Sequence, residues 1–306
     1  MTMPAPDSAA DWYRDSIRST VEFRRCVSNG VALNLAEAGP ADGPAVVLLH
    51  GFPEFWYGWR HQIDALAAAG FRVIVPDQRG YNLSGRPQGI AAYDIDILAA
   101  DIIGLADQMG RQRIGVVGHD WGGLVTWWLA SRHPHRIARF AALAAPHPAI
   151  WIDAMQNDPA QRRKSWYVQA FRLPWLPEFL LRQRGYRALA DALRDGARPA
   201  ACTGEDLAHY RAAWARPGAL TAMVNWYRAV IAKGLRRADA GPIDVPALVI
   251  WGNADKFGIK DLARRSLALC ARGEAAYLDT SHWVQHDAPE RVNALLLDFF
   301  KDMPAG

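Results

Sequence analysis

The chain has 306 residues, 51% of them hydrophobic and 22% charged, with a net charge of +4. That is enough apolar material for a sizeable folded core, and it excludes a disordered chain. The charge is uneven: 15 Lys and Arg stand against 8 Asp and Glu from His147 to Ala240, about +7, which leaves the remainder near −3.

In chain order, the N-terminus carries Asp7, Asp11 and Asp15 and no apolar stretch of the signal-peptide kind. A short helix is expected near Trp12–Ile17. Thr20–Val27 and Val31–Ala38 alternate around Asn29-Gly30, a hairpin signal. Ala45–His50 and Phe71–Pro76 read as strands buried on both faces. The first leads through His50-Gly51-Phe52-Pro53-Glu54 into an amphipathic helix ending near Ala69. The second leads into the polar loop Asp77-Gln78-Arg79-Gly80-Tyr81. Tyr93–Met109 has helical periodicity. Ile114–Val117 is a β-branched run, Leu124–Ser131 a helix and Phe140–Ala145 a strand.

Beyond Pro146 the rhythm changes. Up to Ala240 only helical stretches are expected: Gln161–Arg172, Glu178–Leu193, Thr203–Ala215 with a capping-box spacing of Thr203 and Asp206, and Leu220–Lys233. Their Arg residues are interleaved with Trp, Leu and Tyr at helical spacing. With no nucleic-acid-binding motif beside them, they read as solvated helix faces. Strand–helix alternation then returns, with strands at Pro246–Trp251 and Glu274–Leu278 and helices at Ile259–Ala271 and Pro289–Phe300. The pattern predicts an α/β fold, a mostly parallel sheet covered by helices on both faces. Residues 1–147 and 241–306 form its core, and 148–240 form an inserted all-helical cap. Cys26, Cys202 and Cys270 have no paired spacing, which favours free thiols, and no apolar run nears the ~18 residues of a membrane span. A cytoplasmic protein without nucleic-acid or membrane partners is expected, and a homo-oligomer is compatible with the sequence.

The turn Gly118-His119-Asp120-Trp121-Gly122-Gly123 follows the G-x-D-x-G pattern of a nucleophile elbow, with Asp where serine hydrolases have Ser. Read alone, it is equally an ordinary turn with Asp120 as a helix N-cap. In elbow folds the partners follow in the order nucleophile, acid, histidine. Asp255 lies just past the strand ending at Trp251, and His282 just past the last strand, so both fall in that order at carboxyl ends of strands. His50, His119 and His147 have no acid so placed. His282 and His286 are four apart, but no Glu stands between them and no third ligand suggests a metal site. Phe52 and Trp121 are expected to present their backbone N–H groups to one oxygen as an oxyanion hole.

These residues resemble the α/β-hydrolase fold and, within it, the epoxide hydrolases. The resemblance runs from about Glu22 to the C-terminus. It rests on His50-Gly51-Phe52-Pro53-Glu54 with Trp56 and Trp59, on Asp77-Gln78-Arg79-Gly80-Tyr81 with Ser84, on Gly118–Gly123 and on His282-Trp283. Asn82 departs from it, since many members have Gly there. The family carries two cap tyrosines facing the nucleophile, and Tyr167 in Ser165-Trp166-Tyr167 and Tyr227 in Asn225-Trp226-Tyr227-Arg228 match them. The resemblance implies Asp120 as nucleophile, His282 as base, Asp255 as its orienting acid and the tyrosines as donors to the ring oxygen. It implies a small hydrophobic epoxide and water as reactants, a diol as product, and no metal or organic cofactor. Two rivals remain: a haloalkane or haloacetate dehalogenase using the same acid–histidine pair, and a non-catalytic ligand receptor. Against the first, Phe52 stands where one dehalogenase group has Asn, and no Arg follows Asp120.

Overall fold

A computed structural model of the chain describes residues 21–194, 201–235 and 240–304, so the helix expected near Trp12–Ile17 lies outside the described residues. The chain opens with a hairpin of β1 (Glu22–Ser28) and β2 (Val31–Ala38). Asn29 and Gly30 both have positive φ, 47° and 74°, as a tight hairpin turn between right-twisted strands requires. Then follow β3 (Ala45–Leu49), a 3-10 turn over Trp56–Trp59, α1 (Arg60–Ala68), β4 (Arg72–Pro76), α2 (Ile95–Gln108), β5 (Ile114–His119), α3 (Trp121–Arg132) and β6 (Ile137–Leu143). The sheet is completed by β7 (Ala247–Gly252) and β8 (Gly273–Leu278) in the order β1-β2-β4-β3-β5-β6-β7-β8. From β4 to β8 every neighbouring pair is parallel, and β2 joins antiparallel to β1 and β4.

Every residue of β3, β5 and β7 is buried. Helices cover both faces of these central strands, which explains their unbroken apolar runs. The parallel strands point their carboxyl ends the same way. The loops after β3, β5, β7 and β8 therefore collect on one edge of the sheet, where open α/β sheets bind ligands.

Between β6 and β7 all described elements are helical apart from loops: α4 (Pro148–Asn157), α5 (Pro159–Lys164), α6 (Trp166–Phe171), α7 (Leu176–Arg194), α8 (Gly204–Trp214) and α9 (Ala219–Lys233). Thr203 and Asp206 close the expected capping box on α8. Three details differ from the sequence reading. Helix α4 has no counterpart in it; His147 caps this helix through Ala149 N, and Pro148 occupies its first turn. The stretch 161–172 is two helices, because the chain breaks at Ser165. Helix α7 is interrupted at Gln183–Tyr186, where Arg184, Gly185 and Tyr186 all have positive φ.

The core side closes with α10 (Asp261–Leu267), α11 (Val284–Asp287) and α12 (Pro289–Phe300). Helix α10 is shorter than its periodicity suggests. Residues after Leu267 pair instead with Ile243, whose N–H bonds to Leu269 O and whose carbonyl accepts from Ala271 N. Among the described residues no helix is long and apolar enough to cross a membrane.

Candidate active site

Asp120 sits between β5 and α3 with φ 50° and ψ −119°, a conformation costly for a residue with a Cβ. The turn is forced by packing. A methyl group on Gly122 would run into the Leu49 and His50 carbonyls, and one on Gly51 would run into the Asp120 side chain. The Asp120 side chain makes no capping bond to α3. Its Oδ1 accepts from Phe52 N at 2.8 Å, and its Oδ2 lies 3.5 Å from His282 Nε2. That removes the helix-cap reading of this residue. Trp121 opens α3, so its N–H has no acceptor within the helix.

The other ring nitrogen of His282, Nδ1, lies 2.9 Å from Asp255 Oδ2. Asp255 Oδ1 accepts from Phe257 N at 2.7 Å and Gly258 N at 3.0 Å, so all the carboxylate's strong contacts are fixed. Burial opposes charge on Asp255, but His282 and these two N–H groups hold its carboxyl below the usual range. Burial likewise opposes the imidazolium of His282. The Asp255 charge, and then Asp120, outweigh it and push His282 up to about 10. The unfolded chain binds this proton only below the ordinary value of 6.5. The bound proton therefore stabilises the fold fully below pH 6.5, and its contribution is lost as pH rises through about 10. Urea unfolding is expected to show this decline between those values, and Asp255→Asn is expected to shrink it. An equal decline in both proteins would contradict the assignment.

Two tyrosines from the helical insertion complete the setting. Tyr167 lies on α6 and Tyr227 on α9, with ring centroids 6.0 Å apart. Tyr227 packs edge-on against Phe52 at 5.4 Å, Phe171 at 4.9 Å and Trp121 at 4.8 Å. Burial, reinforced by the Asp120 carboxylate, raises both phenols far above their ordinary value, so both stay protonated. Asp120, Tyr167, Tyr227, His282 and Phe52 line a cavity of about 830 Å³ whose remaining wall is mostly apolar, Leu and Ala of the insertion foremost, with Arg163, Lys164, Asp191 and Lys256 also on it. Thus the structure brings together all seven residues singled out in the sequence.

Residues 44–289 match the family model described as the alpha/beta hydrolase fold. The chain is 47% identical over 276 residues to the AB hydrolase superfamily protein YfhM of Bacillus subtilis (strain 168), covering 90% of this chain and 96% of that one. It is 38% identical over 311 aligned positions to Epoxide hydrolase A of Mycobacterium tuberculosis, covering 89% and 95%. The solved epoxide hydrolase of Bacillus megaterium superposes with a TM-score of 0.83 at 28% identity, covering 91% and 100%. The chain belongs to the epoxide hydrolase family of the α/β-hydrolase fold.

This family member also carries a buried polar network that sequence reasoning missed. Glu54 Oε1 accepts from Tyr210 at 2.7 Å and lies 2.7 Å from His286 Nε2. Its Oε2 accepts from Gln285 and lies 3.4 Å from His119 Nδ1. His119 Nε2 in turn meets the His282 carbonyl at 3.0 Å. His286 therefore faces Glu54 and Arg60, not a site shared with His282. Gln161 on α5 is the second omission. Its amide donates to Phe257 O and accepts from Ile259 N, so the insertion grips the loop that carries Asp255. The only signal in the sequence was Glu54 within its motif; Gln161 had none.

Proposed function

We propose that the chain hydrolyses an epoxide to a vicinal diol through an ester on Asp120. The observation that carries this reading is the pair of protonated tyrosines lining the same cavity as Asp120 and His282. An epoxide carbon is sp3. A serine attacking it would form an ether that water and imidazole cannot cleave, whereas a carboxylate forms an ester with a carbonyl to attack.

In the first step Asp120 Oδ2 forms a bond to one ring carbon. The carbon–oxygen bond of the ring breaks, and the ring oxygen takes a proton from Tyr167 or Tyr227. Esterification removes the Asp120 charge that helped to hold the proton on His282. That proton restores the tyrosine, and His282 becomes a neutral base, kept in one tautomer by Asp255. In the second step His282 takes a proton from water, and the water oxygen attacks the Asp120 carbonyl carbon. The oxyanion on Oδ1 is met by the N–H groups of Phe52 and Trp121. Collapse expels the diol oxygen, which regains a proton from His282, and the Asp120 acid returns its own proton to His282. The helical insertion acts here as a cap that supplies the tyrosines and excludes bulk water.

The dehalogenase rival would need the Trp121 indole for a halide, but that ring is packed among Tyr227, Trp226 and Trp151, with centroids 4.8, 5.7 and 5.8 Å away. Incubation with styrene-type and alkyl epoxides beside alkyl chlorides and bromides is expected to yield diol and no halide. Halide release without diol would overturn the reading.

A further inference from the structure

The large cavity is not the only space beside Asp120. A second chamber, of about 30 Å³, is lined by the same Asp120, Tyr167, Tyr227, Phe257 and His282. The remaining walls of the two spaces differ in kind. Around the large one they come mainly from α5 to α7 and include the exposed Trp166 and Leu180. Around the small one the large side chains are Trp121, Leu124, Trp151, Trp251 and Leu262, all buried in the core, beside the half-buried Gly258. Trp121 and Trp151 lock edge to face with centroids 5.8 Å apart. Such a wall cannot give way without unpacking the core.

From this asymmetry, and resting on the activity proposed above, we infer that the substrates are terminal epoxides with one bulky apolar substituent. Asp120 and the tyrosines must sit on the attacked carbon and the ring oxygen, so groups on the two ring carbons diverge into the two spaces. The large space is of the size that holds a drug-sized ligand, roughly 300–1,000 Å³. The small one has room for about two waters at ~10–15 Å³ each, and therefore for hydrogen or methyl but not a ring. Trp151 and Leu124 set this limit. They are specificity residues and take no part in the chemistry.

The test compares kcat/KM for benzyl glycidyl ether, with one large arm, and trans-stilbene oxide, with a phenyl on each ring carbon. The wild type is expected to favour the first by about 100-fold or more. Trp151→Ala is expected to narrow that ratio by about tenfold through faster turnover of the stilbene oxide. Leu124→Ala serves as the second variant, with thermal melting to establish that each is folded. A wild-type ratio near one overturns the inference and leaves the activity standing. So does a large ratio that neither folded variant changes. Diol from no epoxide at all sinks the activity and, with it, this inference.

Discussion

His282→Gln is expected to yield a protein that opens one epoxide per active site and then stops, its mass raised by that of the substrate. Ring opening needs the Asp120 carboxylate and the tyrosine protons, none of which this substitution removes. Gln is close in size to the imidazole and can still bond Asp255, so the elbow and the Phe52 N–H contact to Asp120 Oδ1 persist. The second step loses its base. General-base catalysis is typically worth about 10² to 10⁴ in rate, so the ester outlives the mixing time by a wide margin. Intact-protein mass spectrometry after brief mixing with an epoxide reads the adduct directly, and peptide mapping assigns it to Asp120. Steady turnover at the wild-type rate, with no adduct, would remove His282 from the second step.

Much of the architecture was legible because the local signals agree with the global fold. The apolar runs of β3, β5 and β7 read as central strands, and Asn29-Gly30 between two alternating runs read as a hairpin turn. The chain order of Asp120, Asp255 and His282 followed from strand ends alone, since each residue is held by its own strand. What escaped was set by distant partners. Ser165 breaks a helix whose periodicity is unbroken because Gln161 also serves Phe257 and Ile259, about a hundred residues away. The interruption in α7 has no proline. Its left-handed turn is fixed by Arg211 donating to Gly185 O and by Tyr186 packing near Trp214. Glu54 and His119 could not be paired by any pattern, because 65 positions and two strands separate them. Asn82, a departure from the family resemblance, explains itself locally. It adopts φ 40°, which Asn tolerates, and its amide donates to Asp77 at 2.9 Å.

Replacing Tyr167 and Tyr227 together by Phe is expected to slow ring opening by about 10² to 10⁴, the span of general-acid catalysis, while leaving the fold intact. The rings do the packing: Tyr227 lies against Phe52, Phe171 and Trp121, and Tyr167 against Phe171 and Phe257. Phe keeps these contacts and removes only the two hydroxyls. Each single substitution is expected to cost less than half of the double one in log rate, because the surviving phenol still reaches the ring oxygen, and neighbours of this kind are not additive. The step affected can be isolated. In the His282→Gln background the double substitution must slow the appearance of the mass increment by the same factor, since no phenol proton reaches the departing oxygen and Asp120 would have to expel a bare alkoxide. A carbon–halogen bond needs no such proton. Turnover of an alkyl halide that survives both substitutions would therefore move Asp120 from epoxide chemistry to halide displacement, whereas loss of diol formation alone ties the two phenols to the oxygen of the ring.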